Sequence, residues 1–163
     1  MTEEEADPIV RLFADREQAD RRNDPSAKLA YLATGGHAPT VRTIILESDG
    51  PALWFTTSRS TQKWSDLNET GRYERLTFYP SIGRQYRVSG RLDVARGETV
   101  ERRFDDASEI SKKLCNYYVN VAPPGTPLPD TWPQDLKDQD GGFVDDYVMV
   151  RLRTNRIDVV DIG

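Results

Sequence analysis

Apolar residues along the chain follow two different periods, which separate an N-terminal helix from a series of strands. Residues 7–22 predict the helix, because apolar residues recur at helical spacing and Asp7-Pro8 supplies an N-cap followed by a first-turn proline. Turn residues at 35–39 and 48–51 separate the first three strands, so we expect these three to form a meander. The predicted strands are 28–34, 40–47, 52–57, 73–79, 84–95, 147–152 and 156–160.

Helical patterns interrupt and follow the strands, over residues 61–69, 97–105 and 108–119. A loop with five prolines and little apolar surface follows them. Strands in this order, mostly antiparallel and with helices inserted, predict a single α+β, mainly β domain built around a barrel. Its parts over residues 1–163 are the N-terminal helix at 7–22, the barrel core at 28–95, helices within 97–119, the proline-rich loop at 121–142 and closing strands at 146–161.

Composition narrows the classes of protein that this chain can represent. A chain of 163 residues fits one domain with its own core. The net charge of -5 argues against a general nucleic-acid binder, which needs a basic face. Cys115 is the only cysteine, so neither an intrachain disulfide nor a zinc site built from thiolates is expected. No apolar run approaches the roughly 20 residues of a membrane span, and the acidic start does not resemble a secretory signal. We therefore expect a cytoplasmic protein without a membrane partner.

Familiar catalytic motifs are missing from the sequence. It contains no GxGxxG after a strand, no Walker loop and no GxSxG. The only histidine, His37, lies in a Gly-Gly-His-Ala-Pro turn, where a solvent-facing side chain is the more common outcome. Metal-dependent hydrolysis and Ser-His chemistry are therefore disfavoured, and no residue is assigned a catalytic role.

Two groups of polar residues on or beside strands are candidates for a ligand site. Arg42 opens an otherwise apolar strand, and Thr61 and Lys63 lie where a short helix begins. Helix N-termini with hydroxyl groups and a lysine bind phosphate, but a capped helix with solvated charges explains the same spacing and is favoured on spacing alone. Gln85 lies on the polar face of the long strand, and its amide could both donate hydrogen bonds to a ligand and accept them from it.

Together these segments resemble the pyridoxamine 5'-phosphate oxidase family. The most specific match is Arg-Gln-Tyr-Arg-Val-Ser-Gly at 84–90, which resembles the family's R-Q-V-R-V-E-G. The strand at 38–46 is similar to G-x-P-x-x-R-x-V-L-L, and Trp-Phe-Thr-Thr followed by Thr-Gln-Lys resembles F-Y-T-N followed by S-R-K. Further matches at 7–9 and 24–34 extend the resemblance over about residues 7–110, in the same order.

The resemblance implies an FMN-binding split β-barrel that forms a homodimer, with the cofactor site between the chains. Arg42 and Lys63 would hold the FMN phosphate, and Gln85 would face the isoalloxazine ring. Gln62 stands where the family usually has arginine, so one cationic contact is lost. The full set of implied cofactor-binding residues is Arg42, Thr43, Ile44, Ile45, Thr56, Thr57, Thr61, Gln62, Lys63 and Gln85.

Departures from the family pattern concern the substrate more than the fold. Glu47 stands where the motif ends in a lysine that touches the substrate phosphate, and Val160 takes the place of a flavin-contacting tryptophan. Arg103-Phe104 replaces a Tyr-Phe pair, and Tyr117-Tyr118 falls where a Gln-Ser pair contacts the flavin. These differences predict that pyridoxine 5'-phosphate is not the substrate.

The resulting expectation is an FMN-dependent oxidoreductase acting on an unidentified small molecule. Hydride transfer occurs on the flavin itself, which would explain a site without histidine or cysteine. The sequence leaves three alternative functions open. They are a non-catalytic flavin or haem binder acting as a sensor or store, a dimeric scaffold that has lost its cofactor, and a deazaflavin-dependent reductase.

Overall fold

The computed structural model describes residues 7–35, 38–59, 61–106, 112–113, 117 and 147–163. In this part of the chain the α-helices α1–α3 are Pro8–Arg21, Gln62–Thr70 and Glu98–Asp105. The strands β1–β7 are Leu29–Thr34, Thr40–Ile45, Glu47–Asp49, Ala52–Ser58, Arg72–Tyr79, Arg84–Val94 and Tyr147–Asp161. The predictions for His37, Tyr118 and the 121–142 loop, and most of that for the helix at 108–119, lie outside the described residues. None of the described helices is long and apolar enough to cross a bilayer.

Capping by short polar residues sets the start of the chain's first helix and of the turn that follows it. Asp7 accepts a hydrogen bond from the backbone N–H of Ile9 at 2.9 Å, with Pro8 in the first turn, as the sequence predicts. After α1, Asp24 caps a 3₁₀ turn at Pro25–Lys28. Partial desolvation opposes ionisation of Asp24, but hydrogen bonds from Ser26 and Ser81 outweigh it and lower the pKa of this carboxyl to about 2.

The described strands form one antiparallel sheet of seven strands in the order β2-β1-β5-β6-β7-β4-β3. This confirms the antiparallel split-barrel class, but the expected meander of the first three predicted strands is wrong. β2 pairs with β1 at one end of the sheet, whereas β4 pairs with β3 and β7 at the other. The sheet curls into a half-barrel, so β2 and β4 approach each other, and α2 packs against both β1 and β4.

Two predicted strand boundaries differ from the structure. The last two predicted strands, 147–152 and 156–160, are one 15-residue strand, β7. The polar residues between them form a bulge opposite Ser89 and Gly90 of β6, which absorbs one extra residue without ending the pairing. The predicted strand at 40–47 is interrupted at Leu46, whose carbonyl oxygen accepts a hydrogen bond from Arg16 at 2.6 Å before β3 begins.

Burial divides the sheet into two faces. The concave face and α1 enclose the main core, in which side chains such as Leu12, Leu32, Phe55, Tyr86 and Val88 are almost completely buried. A smaller cluster lies on the outer face of β4 and β7, where Val100 and Phe104 of α3 cover Trp54, Tyr147 and Met149. The outer face of β1 and β2 carries exposed apolar side chains, namely Tyr31, Val41 and Ile45.

Candidate functional site

The start of α2 is an N-terminus built from hydroxyl side chains. Thr61 caps the helix: its Oγ1 accepts from the backbone N–H of Trp64 at 3.2 Å and donates to the carbonyl oxygen of Ser58 at 2.8 Å. Thr57, at the end of β4, places its Oγ1 3.1 Å from that of Thr61. These contacts fix the turn between β4 and α2. The positive end of the helix dipole therefore lies at this turn, next to the hydroxyl groups of Thr57 and Thr61.

Arg42 reaches this helix from β2. Its Nη2 lies 3.0 Å from Thr34 Oγ1 and 3.6 Å from Asp66 Oδ2, and it also contacts Thr40. Asp66 accepts hydrogen bonds from Gln62 at 2.8 Å and from Thr34 at 2.9 Å. The hydrogen bonds from Gln62 and Thr34, followed by the charge of Arg42, lower the pKa of Asp66. Asp66 therefore remains an anion that holds the guanidinium in place.

One atom of this network has no partner. Nη1 of Arg42 is buried and makes no hydrogen bond within the described part of the chain. Lys63, on the first turn of α2, places its ammonium group 5.6 Å from the centroid of the Phe55 ring in β4. A buried donor without an acceptor is costly, so the arrangement favours an anion beside Arg42 and the helix start. We call the group formed by Arg42, Thr57, Thr61, Gln62 and Lys63 the cradle.

The remaining predicted site residues lie elsewhere on the sheet. Thr43 and Ile45 are exposed on the outer face of β2, while the side chain of Ile44 is buried in the core. Thr56 is partly buried on the outer face of β4. Gln85 lies on the outer face of β6, directly between Phe78 of β5 and Val160 of β7.

Five of the ten predicted residues thus lie at the start of α2, at the end of β4, or on β2 in contact with α2 through Asp66, and the other five are distributed along the strands. Sequence reasoning missed Asp66, Thr34 and Thr40, which hold Arg42. The i, i+4 spacing of Gln62 and Asp66 on a helix was a signal for their mutual hydrogen bond. Thr40 lies two residues before Arg42 on the same predicted strand, and the two-residue period was a signal for that contact. The contact to Thr34 depends on strand pairing and had no signal in the sequence.

No group of three or more His, Cys, Asp or Glu side chains that could hold a metal ion occurs among the described residues. A curled antiparallel half-barrel with this cradle beside its inserted helix defines a protein of the split-barrel class. The sequence profile of the FMN-binding domain of pyridoxamine 5'-phosphate oxidase matches residues 7–96, and the chain belongs to this family.

Relatives agree with this assignment. A curated pyridoxine/pyridoxamine 5'-phosphate oxidase from Erythrobacter litoralis (strain HTCC2594) is 30% identical over 112 residues, which is 66% of this chain and 52% of the relative. The chain thus matches about half the length of that enzyme. Among solved structures, a pyridoxamine 5'-phosphate oxidase-related, FMN-binding protein from Nostoc punctiforme PCC 73102 has a TM-score of 0.77 at 17% identity, covering 99% of this chain and 87% of that one.

A second solved structure shows the same fold. PhzG from Burkholderia lata 383, in complex with tetrahydrophenazine-1-carboxylic acid, has a TM-score of 0.77 at 19% identity, covering 94% of this chain and 79% of that one. At these identities the likeness shows the fold, and the family profile carries the assignment.

Proposed function

We propose that this protein binds FMN and acts as an FMN-dependent oxidoreductase, with the cradle holding the phosphate. The observation that carries the proposal is the buried, unpartnered Nη1 of Arg42, an arginine that Asp66 holds against α2. A phosphate dianion matches this set of groups, because it accepts from a guanidinium, from hydroxyls and from helix N–H groups at once. Lys63 adds a second cation on the first turn of the helix.

Asp66 acts as a positioning residue in this proposal. It keeps Arg42 in one rotamer through the 3.6 Å ion pair and is itself held by Gln62 and Thr34. Gln62, which replaces the arginine usual in the family, thus supports the cradle through Asp66 instead of contributing a charge. The cofactor would meet an arginine whose side chain is ordered before binding, which lowers the entropy cost of forming the contact.

The flavin ring would lie along the outer face of the sheet. Gln85 and Val160 are cross-strand neighbours there, and Thr43 is exposed on the same face of β2. Gln85 can donate to or accept from the ring edge, and the backbone of Ile44 and Ile45 offers further hydrogen-bonding groups. With the short side chain of Val160 in place of tryptophan, one side of this face stays open for a substrate.

We infer that the outer face of β1 and β2 is the interface of a homodimer. Tyr31, Val41 and Ile45 are 46%, 69% and 63% exposed and lie on two paired strands at the end of the sheet, forming one apolar surface. An apolar surface of this kind on a small domain marks an interaction site, and a second copy would bury it around a two-fold axis. The flavin ring would then lie between the two chains.

Replacing Ile45 with aspartate tests the dimer. The wild-type protein should scatter light as about twice the 18.5 kDa chain mass. The I45D dimer should dissociate at least tenfold more readily, because two symmetry-related charges would be buried together. The matched control is V10D, since Val10 is 60% exposed on α1, away from this surface. Wild-type protein that stays monomeric at micromolar concentration while binding FMN would contradict the model.

The chemistry assigned to the site needs no acid or base from the protein. When bound, FMN supplies hydride or electron transfer at its ring. The residues of this chain bind the phosphate, orient the ring and limit access to it. The cradle residues include no histidine or cysteine, which is consistent with a site in which FMN carries out the redox chemistry and the protein binds and orients it.

Pyridoxine 5'-phosphate is not the proposed substrate. Glu47 is exposed at the start of β3 and is separated from Ile45 by the buried Leu46, so its carboxylate lies on the same side as the outer face of β2. A substrate phosphate at about 4 Å from this carboxylate would experience a repulsion of roughly 4 kcal/mol at an effective dielectric near 20. A neutral or cationic substrate avoids this penalty.

An oxidase assay with pyridoxine and pyridoxamine 5'-phosphates tests this proposal. FMN-loaded protein should form no pyridoxal 5'-phosphate above the rate of free FMN, and E47K should bind either vitamer at least tenfold more tightly than the wild type. Wild-type turnover approaching about 1 per second would refute the substrate assignment.

The experiment that tests cofactor binding is a titration of the flavin-free protein with FMN and with riboflavin, followed by fluorescence quenching. FMN should bind at least tenfold more tightly, because riboflavin lacks the phosphate. The absorbance spectrum of the purified protein also distinguishes flavin, deazaflavin and haem. Equal affinity for FMN and riboflavin would refute phosphate binding by the cradle. A haem or deazaflavin spectrum would refute FMN as the cofactor.

A further inference from the structure

A cavity of about 300 Å³ lies apart from the cradle, between α1, the β3–β4 turn and the strands β5 and β7. Its walls are largely apolar and include Leu12, Phe13, Leu53, Leu152 and Ile157. None of the cradle residues lines it. In the sheet, Leu32 of β1 is the neighbour of both Arg42 on β2 and Arg75 on β5, and it therefore separates the cradle from this cavity.

A buried arginine lines this cavity. Arg75 is only 3% exposed, and its Nη1 donates to Thr77 Oγ1 at 2.8 Å. Its Nε is buried and makes no hydrogen bond. Arg75 forms no ion pair with a carboxylate among the described residues. Burial lowers the pKa of its guanidinium, whereas the hydroxyl groups of Tyr73 and Tyr79, the first of them hydrogen-bonded to Arg75, act in the opposite direction.

The remaining charges of the cavity do not neutralise Arg75. Asp93 is engaged by Arg153, whose Nη2 and Nε lie 2.7 and 3.2 Å from the same carboxylate oxygen. Arg151, the cross-strand neighbour of Asp93, is exposed and also lines the cavity. The described lining therefore holds an excess of positive charge around a largely apolar space. Burial of a cation without a counter-ion is unfavourable, and an anionic ligand would offset this cost.

We propose that this cavity binds a small carboxylate with an apolar body, and that the carboxylate pairs with Arg75. The planar guanidinium matches a carboxylate geometrically, and its unpaired Nε provides the first contact. The apolar walls would bury the body of the ligand. A free phosphate fits less well, because it has no apolar body to cover the apolar part of the lining. The volume is at the small end of ligand pockets and suits a molecule of about the size of benzoate.

Calorimetric titration of the full chain with sodium benzoate tests the proposal, with benzamide as a neutral ligand of the same shape. Benzoate should bind, and benzamide should bind at least tenfold more weakly. R75M should weaken benzoate binding by about ten- to a hundredfold, the loss expected for a charge-assisted contact. R72M is the matched control, since Arg72 lies exposed on the same strand, and it should bind benzoate like the wild type.

Two further variants locate the site and allow for misfolding of R75M. K63A changes the cradle and should leave benzoate affinity unchanged, whereas A52F keeps Arg75 but fills the cavity that Ala52 lines and should abolish binding. Failure of benzoate to bind would overturn the proposal. So would equal affinities for benzoate and benzamide, unaltered binding to A52F, or a loss of binding in K63A, which would place benzoate at the cradle.

Discussion

Arg42→Met is expected to weaken FMN binding by about a hundredfold while leaving the affinity for riboflavin within about twofold of the wild type. The guanidinium has an unpartnered buried Nη1 and is held against α2 by Asp66, and a charge-assisted hydrogen bond to a phosphate contributes about 1.5–3 kcal/mol. Riboflavin lacks the phosphate and therefore does not use this contact. Titration of both flavins by fluorescence quenching measures the two affinities.

Lys63→Ala tests the cradle independently. This substitution should lower the affinity for FMN by about ten- to a hundredfold. R72M again removes an exposed arginine and should change neither affinity. Because Asp66 loses its ion-pair partner in R42M, the variant's thermal unfolding should be recorded beside the wild type. If R42M weakened riboflavin as much as FMN, the arginine would act through the fold and not through the phosphate.

Gly90→Ala is expected to destabilise the protein by about 3 kcal/mol or more. A Cβ at this position would lie 1.8 Å from the carbonyl oxygen of Arg153 and 2.9 Å from Cε1 of Tyr73. The first of these is a backbone atom of the paired strand β7, so no rotamer change relieves the collision, and the bulge beside Gly90 would have to open. Urea unfolding, followed by circular dichroism, should show a midpoint lower by about 1–2 M.

Gly35→Ala is the matched control for this prediction. A Cβ at Gly35 meets no atom within 4 Å, and its backbone does not adopt the left-handed conformation that favours glycine. The same substitution there should change the free energy of unfolding by no more than about 0.5 kcal/mol. Equal urea midpoints for G90A and G35A would show that β6 and β7 can separate at the bulge without cost.

Local features of the fold were predictable because local chemistry produces them. The Asp7-Pro8 cap predicts the start of α1, and Thr61 is the N-cap of a helix at the position that the sequence indicates. The predicted alternation of core-facing and polar side chains along the strand at 84–95 is confirmed, since Tyr86 and Val88 are buried and Arg87 is exposed. In each case the deciding interaction lies within a few residues or follows from the two-residue period of a strand.

The order and continuity of the strands were not predictable in the same way. Two apolar runs separated by a turn predict a hairpin, but nothing local indicates that β4 pairs with β7, which is almost a hundred residues further along the chain. Similarly, Thr154 and Asn155 have turn-like composition, and only the partner strand shows that they form a bulge. Pairing of distant strands depends on the free energy of the whole sheet, which no single segment contains.

The sequence by itself determined the family and the antiparallel class, and it identified Arg42 and Lys63 as the candidate phosphate contacts, since both belong to short motifs with regular spacing. Only the tertiary structure decided which groups hold those cations and which cations are left without a carboxylate. Asp66 orders Arg42 because α2 packs across β1, and Arg75 is buried without an ion pair among the described residues because β5 lies in the middle of the curled sheet. The energy of a charge depends on its distance to other charges and to water, and folding sets both distances.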